Sequence, residues 1–114
     1  MYIELLNIDS LNFIWKNFMI NHGVVFTLKK DSVLSREEFF AETLKLKKIN
    51  TLIKFEIVRE TSSKNSFEFG LFMKFQNPKA YDYYNNHPDH LDFVQNIWIP
   101  NVADFMEIDF EKIL

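Results

Sequence analysis

Apolar and polar side chains alternate along residues 21–29. His22, Val24, Phe26 and Leu28 fall on one side, and Val25, Thr27 and Lys29 on the other. That two-residue period predicts a strand with one face against a core. Asp31-Ser32 breaks it, and Ser35-Arg36-Glu37-Glu38 then has the form of a capping box, opening a helix. This helix carries Phe39, Phe40, Leu44 and Leu46 on a broad apolar face. Lys45, Lys47 and Lys48 gather in its last turn, where they complement the helix dipole. Alternation returns from about Leu52 to Glu60, with Ile53, Phe55 and Ile57 on the apolar face. The polar run from Thr61 to Ser66 predicts a loop. A third strand follows, with Phe67, Phe69, Leu71, Met73 and Phe75 on one side.

Asn77-Pro78 is a helix start, an asparagine cap followed by proline at the first helical position. The helix spans about Pro78 to Asn86 with Ala80, Tyr81 and Tyr84 on one face, and His87-Pro88 ends it. A last helix from about Asp89 stacks Leu91, Val94 and Trp98, and Pro100 closes or kinks it. The final strand, about Asp104 to Glu111, presents Met106, Ile108 and Phe110 to the core. The order β-α-β-β-α-(α)-β predicts an α+β protein. That order matches a ferredoxin-like split βαβ sandwich, a four-stranded antiparallel sheet with helices on one face.

The domain occupies residues 21–112. Residues 1–20 read as an N-terminal extension: either a short added helix capped by Ser10 and carrying Leu11, Ile14, Trp15 and Phe18, or a product of an upstream start. The helix-free face of the sheet is expected to show Val25, Val58, Phe72 and Phe105 among Lys54, Glu56, Glu68, Lys74 and Glu107. Single exposed apolar residues are normal. Four converging on one face predict cover by a second copy, a homodimer whose two sheets close a barrel across a twofold axis. The composition agrees. Thirteen phenylalanines and only 2 glycines in 114 residues make more aromatic surface than a small domain easily hides.

A net charge of -3 gives no electrostatic footprint for nucleic acid. With no cysteine there are no disulfides, thiolate metal sites or cysteine nucleophiles. No apolar run approaches the length of a membrane span, and a cytoplasmic location is expected. The candidate chemistry concentrates in Tyr84-Asn85-Asn86-His87-Pro88-Asp89-His90, which holds two of the three histidines.

That segment, the opening His22-Gly23-Val24-Val25-Phe26, the middle Phe55-Glu56-Ile57-Val58-Arg59-Glu60-Thr61-Ser62 and the ending Asp109-Phe110-Glu111 together resemble the stress-responsive α/β-barrel (Dabb) family over about residues 20–112. The resemblance implies a dimeric α+β barrel. Its members include heat-stable stress proteins without known chemistry and a plant polyketide cyclase. Carried over residue by residue, the cyclase's catalytic pair falls on Tyr84 and His90. Its pocket positions fall on His22 and on the pair Phe39-Phe40. Where the cyclase has a further pocket histidine on the third strand, this chain has Phe69, which makes the pocket more apolar.

The physical logic of such a pair is plain. A neutral imidazole accepts a proton from carbon flanked by carbonyls, and a phenol donates a hydrogen bond to the oxygen where enolate charge develops. Val24, Phe26, Phe39, Phe40, Leu71 and Phe93 are candidates for an apolar lining that excludes water. No metal or organic cofactor is needed. Each residue also has a structural reading. His87 serves as a helix cap, His90 as a partner for a backbone group, Tyr84 as a core aromatic with a polar tip, and His22 as a satisfied core histidine. A metal held by His22, His87, His90 and Asp89 is a weaker alternative, because His-x-x-His across a proline is poor ligand spacing. Two functions stay open: a dimer that binds a small apolar or carbonyl-containing ligand, or a cofactor-independent enzyme working through an enolate.

Overall fold

Strand β1 (Ile20–Leu28) lies between β3 (Phe69–Phe75) and β4 (Val102–Phe110), and β2 (Leu52–Arg59) flanks β3 on the far side. The order is β2-β3-β1-β4, with each neighbouring pair antiparallel. The computed structural model describes residues 18–114, so the helix expected after Ser10 lies outside the described residues apart from Phe18. Helix α1 (Arg36–Leu44) tightens into a 3₁₀ turn (Lys45–Lys48). Helix α2 (Pro78–Asn86) is followed at once by α3 (Pro88–Phe93). The chain then passes through a π-helical turn (Val94–Trp98) and a last helical turn (Ile99–Asn101) into β4. This is a ferredoxin-like fold, a four-stranded antiparallel sheet with its helices on one face.

Local chemistry sets these boundaries. Ser35 Oγ accepts from the Glu38 amide, while Glu38 returns a bond to the Ser35 amide, both at 3.1 Å. A cap of this kind stabilises a helix by about 1 kcal/mol. The Asn77 side chain accepts from the Ala80 amide at 2.8 Å to start α2. At the far end Pro100 has no amide hydrogen and its ring crowds the preceding turn. The helix ahead of it widens, and the Ile99 amide donates to Val94. Asn101 is buried and clips this turn to the rest. Its side-chain carbonyl accepts from the Leu34 amide at 2.8 Å, and its main-chain carbonyl accepts from the Lys29 amide at 2.8 Å.

The core is aromatic. Phe26 and Phe39 are fully buried, with ring centroids 5.6 Å apart, and Trp98 sits 5.0 Å from Phe26. From α1 into the 3₁₀ turn the buried stripe runs Phe39, Thr43, Leu46, and Leu44 is left half exposed. Thr43 takes the place expected for Leu44 because its hydroxyl is satisfied by the Phe39 carbonyl at 2.8 Å. After α3, Phe93, Val94, Ile97 and Trp98 pack on the core, while Leu91 turns outward.

Two β-bulges change the phase of the alternation. In β2, Leu52 pairs with Phe75 and Lys54 with Lys74, which leaves Ile53 as the extra residue. Leu52 therefore packs on the core, and Ile53, expected there, is half exposed. In β4, Leu28 pairs with Val102 and Thr27 with Asp104, so Ala103 is the extra residue. Beyond it, Phe105 stands opposite Phe26, Glu107 opposite Val24, and Asp109 opposite His22. A slip of one residue moves a whole side-chain set to the other face. Met106, Ile108 and Phe110, expected in the core, consequently lie on the helix-free face, 58%, 56% and 45% exposed. Phe105 and Glu107, expected outside, lie on the helix side, and Phe105 meets Trp98 edge-on at 5.6 Å.

The helix-free face is thus more apolar than expected, since Val25, Val58 and Phe72 are joined by three large residues from β4. Its centre is the Phe72 ring, spanning Gly23 and Gly70, the only glycines of the sequence. A Cβ at Gly23 would stand 2.7 Å from the ring, and one at Gly70 2.9 Å. Both glycines are there because the ring occupies the space a side chain would need. Gly23→Val should therefore displace the ring and cost about 1–3 kcal/mol of stability in a denaturant melt. An unchanged midpoint would mean that Phe72 does not rest on Gly23.

Candidate functional site

The phase set by the β4 bulge brings polar groups from four elements to one hollow. A cavity of about 320 Å³ lies between the sheet and the α2–α3 segment. His22 on β1, Glu107 on β4, Tyr84 and Asn85 on α2 and His90 on α3 supply its polar lining. Val24, Leu71, Phe93, Trp98 and Phe105 form much of the apolar wall.

His22 is buried and held from one side. Its Nδ1 lies 2.5 Å from Asp109 Oδ1 and 2.9 Å from the Tyr81 hydroxyl. Tyr81 in turn donates to the Asp109 carboxylate at 3.0 Å. A carboxylate only accepts, so this geometry fits a proton on His22 Nδ1 and turns Nε2 away from Asp109. Burial and the Asp109 carboxylate both raise the Tyr81 pKa, which keeps its hydroxyl protonated.

His90 is fixed in the same manner by a neutral partner. Its Nδ1 lies 3.0 Å from the Asn85 carbonyl oxygen, which can only accept, so Nδ1 carries hydrogen and Nε2 keeps its lone pair. Burial lowers its pKa below the ordinary histidine value, against the opposing effect of the Asn85 carbonyl, and nearby His22 lowers it further. The imidazole is therefore a neutral base near pH 7. Its ring packs on Tyr84 with centroids 4.5 Å apart. Tyr84 is almost fully buried against Phe75, and its hydroxyl has no hydrogen-bond partner among the described residues. Burial, with Tyr81 and Glu107 adding to it, pushes the Tyr84 pKa up, so the phenol remains a donor.

The family model for the stress-responsive A/B barrel domain matches residues 20–112. A Dabb family protein of ferredoxin-like fold from Mesorhizobium loti is similar at 40% identity and TM-score 0.78, over 85% of this chain and 99% of that one. The chain belongs to the Dabb family. Two more distant structures share the fold. One is a dimeric protein of unknown function from Bacteroides fragilis, at 22% identity and TM-score 0.59, over 82% of this chain and 96% of that one. The other is a hydroxynitrile lyase from Passiflora edulis, at 12% identity and TM-score 0.74, over 84% and 94%. No curated protein matches the chain.

Of the residues carried over from the Dabb resemblance, Tyr84, His90 and His22 border one cavity, as do Val24, Leu71 and Phe93. Phe26, Phe39 and Phe40 do not border it. Their rings pack on one another and on Phe69 and Trp98 beside it. His87 caps α3 by accepting from the Asp89 amide at 3.0 Å and meets the Tyr83 ring edge-on, away from the cavity. Among the described residues no cluster of three or more acidic and histidine side chains is arranged to hold a metal, and no helix is long and apolar enough to cross a membrane. Asp109, Glu107 and Phe105 were not foreseen at the site, because their facing depends on the bulge at Ala103. Tyr81 was legible on the same helix face as Tyr84, but its link to Asp109 was not.

Histidine signals followed by NMR should show His90 titrating below the ordinary value of roughly 6.5. The Tyr84 phenol should keep its proton at pH 10. A His90 titration at or above the ordinary value would contradict a desolvated imidazole.

Proposed function

We propose that this Dabb domain is a stress-related homodimer that binds a small apolar or carbonyl-containing ligand in the cavity between sheet and helices. A cytoplasmic location and independence of any cofactor go with that reading. The observation that carries it is the cavity itself, with its apolar wall and a tyrosine hydroxyl that has no protein partner among the described residues. Such pockets, mostly apolar with a few convergent polar groups, are the usual form of small-molecule sites. Dimerisation is supported by the apolar face of Val25, Val58, Phe72, Met106, Ile108 and Phe110, and by the dimeric description of the Bacteroides fragilis relative. These side chains are about half exposed or less, so covering them contributes only part of the roughly 1.5–3 kcal/mol that full burial gives each.

The free valences of His90 and Tyr84 favour a second reading, a cofactor-independent enzyme of the cyclase kind. In it His90 Nε2 takes a proton from carbon beside a carbonyl, and the Tyr84 hydroxyl bonds the developing enolate oxygen. His22, oriented by Asp109, stands on the same cavity wall. The lyase activity of the Passiflora edulis relative is a precedent for chemistry on this fold.

Sedimentation should give twice the 13.7 kDa chain mass. Ile108→Asp should yield a folded monomer, and a monomeric wild type would overturn the pairing. Exchange of the acidic protons of a 1,3-diketone into deuterated water tests the enzyme reading. His90→Ala should slow it at least ~10²-fold. The enzyme-catalysed part of the rate should climb with pH through the lowered His90 pKa and then level off, because only neutral imidazole accepts the proton. Equal rates for wild type and His90→Ala would remove the enzyme reading and leave the binding one.

A further inference from the structure

Glu107 is the residue of the cavity that neither the resemblance nor the proton chemistry above employs. It stands opposite Val24 in the β1–β4 register, on the helix side of the sheet, and borders the cavity with His22, Tyr84 and His90. Among the described residues no lysine or arginine borders that cavity. The Glu107 carboxylate has no ion pair or hydrogen bond among the described residues, whereas the next carboxylate on the same side of β4, Asp109, is taken up by His22 and Tyr81. His90 donates to a neutral carbonyl and is kept uncharged by burial. The cavity therefore carries one uncompensated negative charge, at its open β4 side. Trp98 and Phe105 border the same cavity and offer aromatic surface, their rings edge-to-face at 5.6 Å.

We infer that the ligand of this cavity carries a cationic amine on an apolar or aromatic body, with the ammonium group at Glu107 and the body against Trp98 and Phe105. This rests on the ligand-binding reading and narrows it. A carboxylate-bearing ligand would bring like charge to Glu107 with no cation nearby to offset it. An ammonium group supplies the missing counter-charge and also gains from the two aromatic faces. A neutral carbonyl in the same ligand is still free to meet the Tyr84 hydroxyl.

Three probes of one shape and different charge decide the matter: 2-phenylethylamine, 2-phenylethanol and 3-phenylpropanoate, titrated into the full chain and followed by calorimetry and by the NMR signals of His22 and His90. The amine should bind roughly fivefold more tightly than the alcohol, the gain expected of one partly exposed ion pair, and the acid most weakly. Added salt should weaken the amine and leave the alcohol unchanged. Glu107→Gln, which keeps shape and removes charge, should bring amine and alcohol together. Binding of all three without preference, or an amine preference that survives Glu107→Gln, would overturn this inference and leave the ligand-binding reading standing. Failure of all three to bind would overturn both.

Discussion

The register of β4 against β1 decides which of two alternating side-chain sets meets the helices. With Ala103 looped out, Phe105, Glu107 and Asp109 turn toward the helices, and Met106, Ile108 and Phe110 turn away. Without that extra residue the sets would exchange places. His22 would lose Asp109, the cavity would lose its carboxylate, and Trp98 would lose its edge contact with Phe105. The helix-free face would then carry charge instead of three large apolar side chains. One inserted residue thus sets both the polarity of the site and the stickiness of the opposite face.

These two outcomes are linked. Leaving Met106, Ile108 and Phe110 half exposed is unfavourable for an isolated chain. Turning Glu107 and Asp109 to the helix side sets two carboxylates beside an apolar wall, where both remain exposed to solvent. Asp109 finds His22 and Tyr81, and the apolar set would find its compensation under the second sheet of the proposed dimer. The two glycines fit the same arrangement. Phe72 lies over Gly23 and Gly70 at the middle of the helix-free face, where a flat aromatic surface suits a facing sheet.

Much of the fold was legible because strong local signals agreed. The Ser35–Glu38 box, the Asn77-Pro78 start and the His87-Pro88 break all stand where residue chemistry put them. The errors in the strands share one physical origin. A period of two says which residues share a face only while no residue is inserted, and Ile53 and Ala103 are insertions that leave no mark in composition. In β4 the count of apolar residues favoured the wrong set, since Met106, Ile108 and Phe110 outnumber Phe105. Leu44 misled for a different reason. A threonine whose hydroxyl returns to the backbone is an acceptable core residue, and no hydropathy pattern records that. At the site, Tyr84 and His90 were readable from their motif. Glu107 and Asp109 were hidden behind the same insertion.

The most direct test is the facing of β4 in solution. Cross-strand and side-chain nuclear Overhauser effects should link the Trp98 indole to the Phe105 ring, and His22 to Asp109. Contacts from Trp98 to Met106 or Ile108, with His22 opposite Ile108 or Phe110, would show the alternation running without the Ala103 bulge. That result would contradict the account of both the cavity and the apolar face.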